Sequence, residues 1–487
     1  MEKGDGLVKS SISILLAQGF NTILSVVFIA FFARVFSKEQ MAIYAILTMF
    51  ADWGEIIGGL GMGTLVVKNA LEIKETKTKI DLQKFVTSIV IYRTVGMVIF
   101  TSVIILFSDY IAVLIFADHK YSKILKYVAV VSFFMAVSST FSHVQTSFQY
   151  FHSNSKINVI TFFAQKLFCV IGFFSYGLEG FITGHLVGTI LGICLRVNYL
   201  KGLFVREIYS FTDIWKQSRS YLGLKVVRSF VDQIDKPLIG TFLGAEGLAN
   251  YHIVRRLYDN LYQLLLAVVV PLGVKFGEIK TLGHQELQRH YEKGFVVSTF
   301  MIAPICTMLF IVSSPLVELY AGAKYEEAGK VLALFGFTII ASLVWQITRE
   351  ASLRLLLPSR LFIQYTTSAF VTSLSYLVLL PILREVGVPI AMGLGFIAGS
   401  VPLIKYLKTQ CNLIFPLKEF LIALGGGVFS FSAVVPVMIV NESLPKLIVG
   451  TLCVSVLALL YFQKYAPTEI VSICKKIKIC IVKEVKQ

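Results

Sequence analysis

Stretches of about 20 apolar residues, each long enough to cross a ~30 Å hydrocarbon core as a helix, recur from Ser10 almost to the C-terminus. Lipid offers no partner to backbone N–H and C=O groups, so such a chain satisfies them within helices and folds as an all-α polytopic bundle. Fourteen spans are expected, at roughly 10–35, 42–67, 85–107, 125–149, 157–176, 180–200, 221–243, 248–274, 294–314, 330–356, 361–383, 388–407, 416–440 and 445–463. No polar stretch between them reaches the size of a soluble domain, and an even span count puts both termini on one side. The composition agrees: 56% of the 487 residues are hydrophobic and 15% charged. The polar start, Met1 to Lys9, leads into an apolar run without a small-residue cleavage pattern, which predicts a retained helix. The seven cysteines are scattered without metal-ligand spacing and read as free thiols.

The net charge of +16 would suggest nucleic acid in a soluble protein. Here topology explains it, because cytoplasmic loops are enriched in Lys and Arg. Of the 45 basic residues, about 27 fall in the tail, the N-terminus and the even-to-odd connections, about 9 in the opposite loops and about 9 inside spans. That bias predicts cytoplasmic N- and C-termini, and no nucleic-acid partner is expected. In the tail, Ile470, Ile473, Ile477 and Ile481 recur at helical intervals among lysines, the pattern of a basic amphipathic helix on an anionic leaflet.

The chain also repeats itself. Sliding it by 207 positions sets 35–68 on 242–275 without a gap, and Glu39 meets Glu246, Tyr44 meets Tyr251, Asp52 meets Asp259 and Lys68 meets Lys275. Apolar coincidences between membrane segments are cheap; identical Glu, Tyr, Asp and Lys are not. Six spans per copy make the repeats parallel, related by an axis along the membrane normal. The expected organisation is an N-terminal lobe over 1–205, a C-terminal lobe over 206–410, two extra helices over 411–465 and a basic tail over 466–487.

The segment Ala33-Arg34-Val35-Phe36-Ser37-Lys38-Glu39-Gln40-Met41-Ala42-Ile43-Tyr44, followed by Gly58-Gly59-Leu60-Gly61-Met62-Gly63, resembles the first two helices of bacterial polysaccharide flippases. Asp235 to Gly244 and then Leu248-Ala249-Asn250-Tyr251 are similar to that family's seventh and eighth helices. These flippases belong to the multidrug/oligosaccharidyl-lipid/polysaccharide exporter superfamily. The resemblance implies an inner-membrane transporter, without cofactor, that moves undecaprenyl-diphosphate-linked oligosaccharide from the cytoplasmic to the periplasmic leaflet for O-antigen, capsule or lipopolysaccharide-type glycans. Membrane lipids surround it, and a glycan polymerase and a chain-length protein are the partners so implied.

Ionisable side chains inside spans cost about 2.5–3.5 kcal/mol at mid-helix on insertion scales and normally face a partner or a water-filled cavity. A diphosphate-linked glycan needs cations for its phosphates, and the interior holds Arg93, Lys166, Arg228, Lys236, Arg255 and Arg256 as candidate substrate-binding residues. Asp52, Glu55, Asp232, Asp235 and Asp259 are candidates for ion coupling or for tuning the charge of the cavity. Arg228, Asp232 and Asp235 are spaced to share one face of a continuous helix, and Arg228–Asp232 and Arg255–Asp259 read equally as i, i+4 packing pairs. Tyr251, Tyr258 and Tyr262 offer faces to sugars or belong to the core. Gly58, Gly59, Gly61 and Gly63 either loosen the second span or let another helix approach.

No Gly-x-x-x-x-Gly-Lys-Ser/Thr loop is present, so the chain itself is not expected to hydrolyse ATP, and His143, His185 and His252 read as structural. Three other readings share some of these features: an ion-coupled small-molecule exporter of the same superfamily, a peptidoglycan-precursor lipid flippase, and a membrane-embedded glycan polymerase. The extra C-terminal pair of spans argues against the first. The last would carry a long extracytoplasmic loop, and the longest outer loop here, about 108–124, is too short for it.

Overall fold

A computed structural model describes residues 7–465 except 149, 280–282, 357–358, 439 and 441, so the basic tail lies outside the described residues. The chain is a multi-span, all-helical membrane fold. Nine stretches among the described residues are long and apolar enough to cross a bilayer. Two compact units divide the chain, residues 1–252 and 253–487.

In the first unit, α1 (Leu7–Val35) is followed by α2 (Lys38–Trp53), α3 (Met62–Thr76) and α4 (Lys79–Leu106). Two capping boxes set the starts of α2 and α4. Ser37 Oγ accepts from the Gln40 N–H at 3.2 Å while Gln40 Oε1 accepts from the Ser37 N–H at 3.0 Å, and Thr78 and Asp81 do the same for α4. The short α5 (Ser108–Phe116) precedes α6 (Ser122–Ser147) and α7 (Phe151–Tyr199). At 49 residues, α7 would span about 74 Å if straight, more than twice the hydrocarbon core. It breaks at Tyr176 and Gly177, where φ is +60°, and doubles back as a hairpin. Gly180, Gly184, Gly188 and Gly192 form the seam: a Cβ at these positions would run into Gly172, Phe168, Gln165 and Thr161 in turn.

α8 (Phe211–Gln233) and α9 (Asp235–Ile279) close the unit, with the unit boundary inside α9. The continuous helix expected over 221–243 is not formed. The chain bends at Ile234, because the carboxylate of Asp235 takes its own next N–H, Lys236 N, at 2.7 Å and the Pro237 ring follows.

The second unit continues through α10 (His284–Ala321), α11 (Gly329–Leu355), α12 (Ser359–Leu383), α13 (Gly387–Cys411), α14 (Leu417–Ser430), α15 (Val434–Met438) and α16 (Ser443–Tyr465). α14 and α16 lie on α10, with Gly427 against Ala303 and Gly450 against Val312. α12 and α13 pair through Gly387 on Leu379, Gly395 on Thr372 and Gly399 on Ser368. Each of these contacts stands 207 positions after one in the α7 hairpin, namely Gly180 on Gly172, Gly188 on Gln165 and Gly192 on Thr161.

Candidate functional site

The second span also departs from regular helix. After Trp53 the chain widens into a π-turn over Gly54–Gly58, closed by the Gly59 N–H on the Gly54 carbonyl at 3.1 Å. Leu60 and Gly61 then take φ of 51° and 70° before α3 begins. Glycine is required here by contact as well as by conformation. A Cβ at Gly58 would sit 2.9 Å from Met97 Cα of α4, and one at Gly61 only 2.5 Å from the Leu222 nitrogen of α8. The 207-position offset sets Leu261, Leu265, Leu266, Val268 and Val270 against Gly54, Gly58, Gly59, Gly61 and Gly63, and α9 runs unbroken through those positions.

The widened turn aims Glu55 at α6 and α8. Its carboxylate accepts from Ser139 Oγ at 2.8 Å, lies 3.0 Å from His143 Nε2, and has Lys225 Nζ at 3.9 Å. Arg93 of α4 stands behind it, 0% exposed, and none of its three guanidinium nitrogens has a hydrogen-bond partner among the described residues. The guanidinium fits against Gly59 and Gly63, where a side chain would displace it. In front of Glu55 opens a polar cavity of about 280 Å³ lined by Asp52, Glu55, Ile56, Lys225, Arg228, Ser229, Asp232 and Gln233. Arg228 Nε reaches Asp232 Oδ2 at 3.4 Å, so the lining sets three carboxylates against two cations, with Arg93 adding a third cation from behind.

The remaining predicted residues lie elsewhere. Lys166 is buried in the core of the first unit, its Nζ 4.0 Å from the ring centre of Phe28, 4.9 Å from Phe162 and 5.7 Å from Tyr44, whose hydroxyl is 3.4 Å away. Among the described residues aromatic faces hold that ammonium without a carboxylate, an arrangement worth about 2 kcal/mol or more per good contact when desolvated. Asp235, also fully buried, accepts from the Tyr251 hydroxyl, and the bend at Ile234 removes it from the face that carries Arg228 and Asp232. Lys236 Nζ donates to Gln233 Oε1 at 2.8 Å and so backs the cavity lining. In the second unit, Arg255 Nε donates to Asp259 Oδ1 at 2.9 Å and its Nη1 lies 3.1 Å from Met392 Sδ, while Arg256 is half-buried. Of the three tyrosines, Tyr251 and Tyr258 are core residues, and Tyr262 is half-buried.

Lys225, Ser139 and His143 do not stand out in the sequence as partners within one helix, since Glu55 comes from another. The one available signal was the spacing 225, 228, 232, which lines a single face of α8.

A family model described as "Polysaccharide biosynthesis protein" matches residues 31–330, more than half of the chain. The chain belongs to the polysaccharide biosynthesis protein family. Solved structures with the same fold include the lipid II flippase MurJ in its inward closed conformation, with a TM-score of 0.72 and 18% identity over 93% of this chain and 99% of that one. An inward-facing multidrug resistance MATE family transporter of the MOP superfamily follows, with 0.64 and 12% over 80% and 94%. A mutant of the Vibrio cholerae MATE transporter VcmN gives 0.56 and 12% over 83% and 97%. No curated protein sequence matches the chain. For this member of the polysaccharide biosynthesis family, the structural likenesses establish the fold, and its chemistry has to be argued from its own residues.

Proposed function

We propose that this protein is a flippase that carries undecaprenyl-diphosphate-linked oligosaccharide from the cytoplasmic to the periplasmic leaflet of the bacterial inner membrane. It works by alternating access of two parallel six-span lobes, 1–205 and 206–410, flanked by the helices of 411–465. Fourteen spans with both termini cytoplasmic complete this reading. The constant 207-position offset between the glycine contacts of α7 and those of α12–α13 supports the repeat.

The observation that carries the reading is the Glu55 cavity, with Lys225 and Arg228 at its wall. Both cations hold their carboxylates loosely, at 3.9 and 3.4 Å, and the exposed Arg228–Asp232 pair is of a kind worth about 0.2–1 kcal/mol. A diphosphate carries more charge and more acceptor oxygens than a single carboxylate, so it competes for Lys225 and Arg228 with charge-assisted hydrogen bonds of its own. Glu55 keeps its contacts to Ser139 and His143 when Lys225 turns to the substrate. Arg255 and Arg256 supply further positive charge in the second lobe. Lys166, enclosed by aromatic rings, supports the packing of the first lobe and not the substrate.

Complementation of glycan display in a flippase-deficient strain tests this, with membrane abundance measured for every variant. Lys225→Met and Arg228→Ala are expected to reduce display at least about tenfold, and Arg228→Lys to retain most of it, because a mobile diphosphate needs charge more than fork geometry. Full display by a Lys225→Met, Arg228→Ala double variant at normal abundance refutes the assignment.

A further inference from the structure

The contact that fixes Glu55 recurs in the second unit with its chemistry exchanged. Glu55, Ser139 and His143 correspond, 207 positions on, to Tyr262, Gln346 and Glu350. Glu55 is hydrogen-bonded to Ser139, and Tyr262 is hydrogen-bonded to Gln346. In each unit a glycine on the first helix of the pair makes room for the last member: a Cβ at Gly63 would be 2.8 Å from His143 Cδ2, and one at Gly273 would be 2.6 Å from Glu350 Oε2.

What differs is the demand each cluster leaves open. Gln346 is 4% exposed, and with its amide N–H committed to Tyr262 its Oε1 has no hydrogen-bond partner among the described residues. Leaving such an acceptor unsatisfied costs about 1–3 kcal/mol, so a position of this kind points to a donor that arrives from outside. One helical turn away, Arg349 Nη2 donates to Glu350 Oε1 at 2.5 Å and Nη1 lies 3.5 Å from the Tyr365 hydroxyl, while Nε, a donor, is likewise without a partner. Glu350 and Arg349 neutralise each other, so the cluster presents no net charge to an anion or a cation. A planar amide acceptor, a planar guanidinium donor and a half-buried tyrosine ring together suit an uncharged group that both donates and accepts and has an apolar face, which is the chemistry of a sugar.

We infer that Tyr262, Gln346, Arg349 and Glu350 form a carbohydrate subsite that recognises the glycan of the transported lipid, distinct from the Lys225 and Arg228 cations proposed for its diphosphate. This rests on the proposed flippase activity. It makes Gln346 and Glu350 determinants of substrate choice rather than of lipid binding in general.

The test is equilibrium binding to the full chain in lipid nanodiscs, with undecaprenyl diphosphate and undecaprenyl diphosphate-N-acetylglucosamine as the two probes. The wild type is expected to prefer the glycosylated probe about tenfold, the equivalent of one good hydrogen-bonded contact. In Gln346→Ala and Glu350→Gln that ratio falls toward one with affinity for undecaprenyl diphosphate unchanged, and Tyr262→Phe, which keeps the ring and removes only the hydroxyl that orients the amide, lowers it partway. Lys225→Met weakens both probes by the same factor and leaves the ratio intact. A wild type without preference, or a ratio that survives all three substitutions in folded protein, overturns the subsite. Failure of both probes to bind the wild type overturns the diphosphate reading, and the subsite with it.

Discussion

Arg93 is the residue whose position asks most for an explanation. A fully buried guanidinium without a hydrogen-bond partner among the described residues is expensive, and replacing it with an apolar side chain of similar length removes that desolvation cost. Arg93→Met is therefore expected to fold to normal membrane abundance, with a melting temperature at or above that of the wild type. If the positive charge behind Glu55 helps to hold the site open to anions, transport falls at the same time by at least about tenfold. Thermal unfolding in detergent beside glycan display checks both. A variant that melts lower and transports in proportion to its abundance would make Arg93 a packing residue. Arg93 was legible as a buried charge from its place mid-span. Its lack of a partner was not, because that depends on which helices bring acceptors, and neither Glu55 nor His143 lies within its own helix.

At the scale of elements, the glycines do most to set the shape of the first unit. The run Gly58-Gly59-Leu60-Gly61-Met62-Gly63 left two readings open, loosening of the helix or close approach of another, and the structure shows both: a π-turn with positive φ, pressed between α4 and α8. Gly61→Ala meets a strained φ and a clash with the Leu222 backbone together, and is expected to cost about 2–3 kcal/mol. Gly202→Ala, with φ of +86° but open space around it, should cost only about 1 kcal/mol. Denaturation of the purified variants separates the two; equal losses would show that the α8 contact contributes nothing. The pairing of α7 with itself, like the bend at Ile234, was not legible in detail. A hydropathy pattern counts apolar residues but does not say where a carboxylate such as Asp235 will take its neighbour's N–H. The apolar runs and capping residues are local and could be read directly; the Glu55–Lys225 and Tyr262–Gln346 contacts join helices far apart in sequence and could not.

At the scale of the whole molecule, the membrane fold follows from the apolar runs, and membership of the polysaccharide biosynthesis family from the match over 31–330. The family's motifs sit on elements that build the cavity: the glycine run forms the turn that aims Glu55, and the Asp235-Lys236-Pro237 stretch ends α8 just after Arg228 and Asp232. Composition gave no hint of substrate, since the surplus of basic residues was ascribed to loop topology. The substrate argument rests on two loosely held cations beside a polar cavity, and transport measured in a defined system addresses it most directly. The purified chain is reconstituted in vesicles, and undecaprenyl diphosphate-N-acetylglucosamine appearing in the opposite leaflet is followed by its accessibility to an external galactosyltransferase. The account predicts translocation by the wild type and a rate at the protein-free background for the Lys225→Met, Arg228→Ala double variant at equal incorporation; translocation by that variant at the wild-type rate would contradict it.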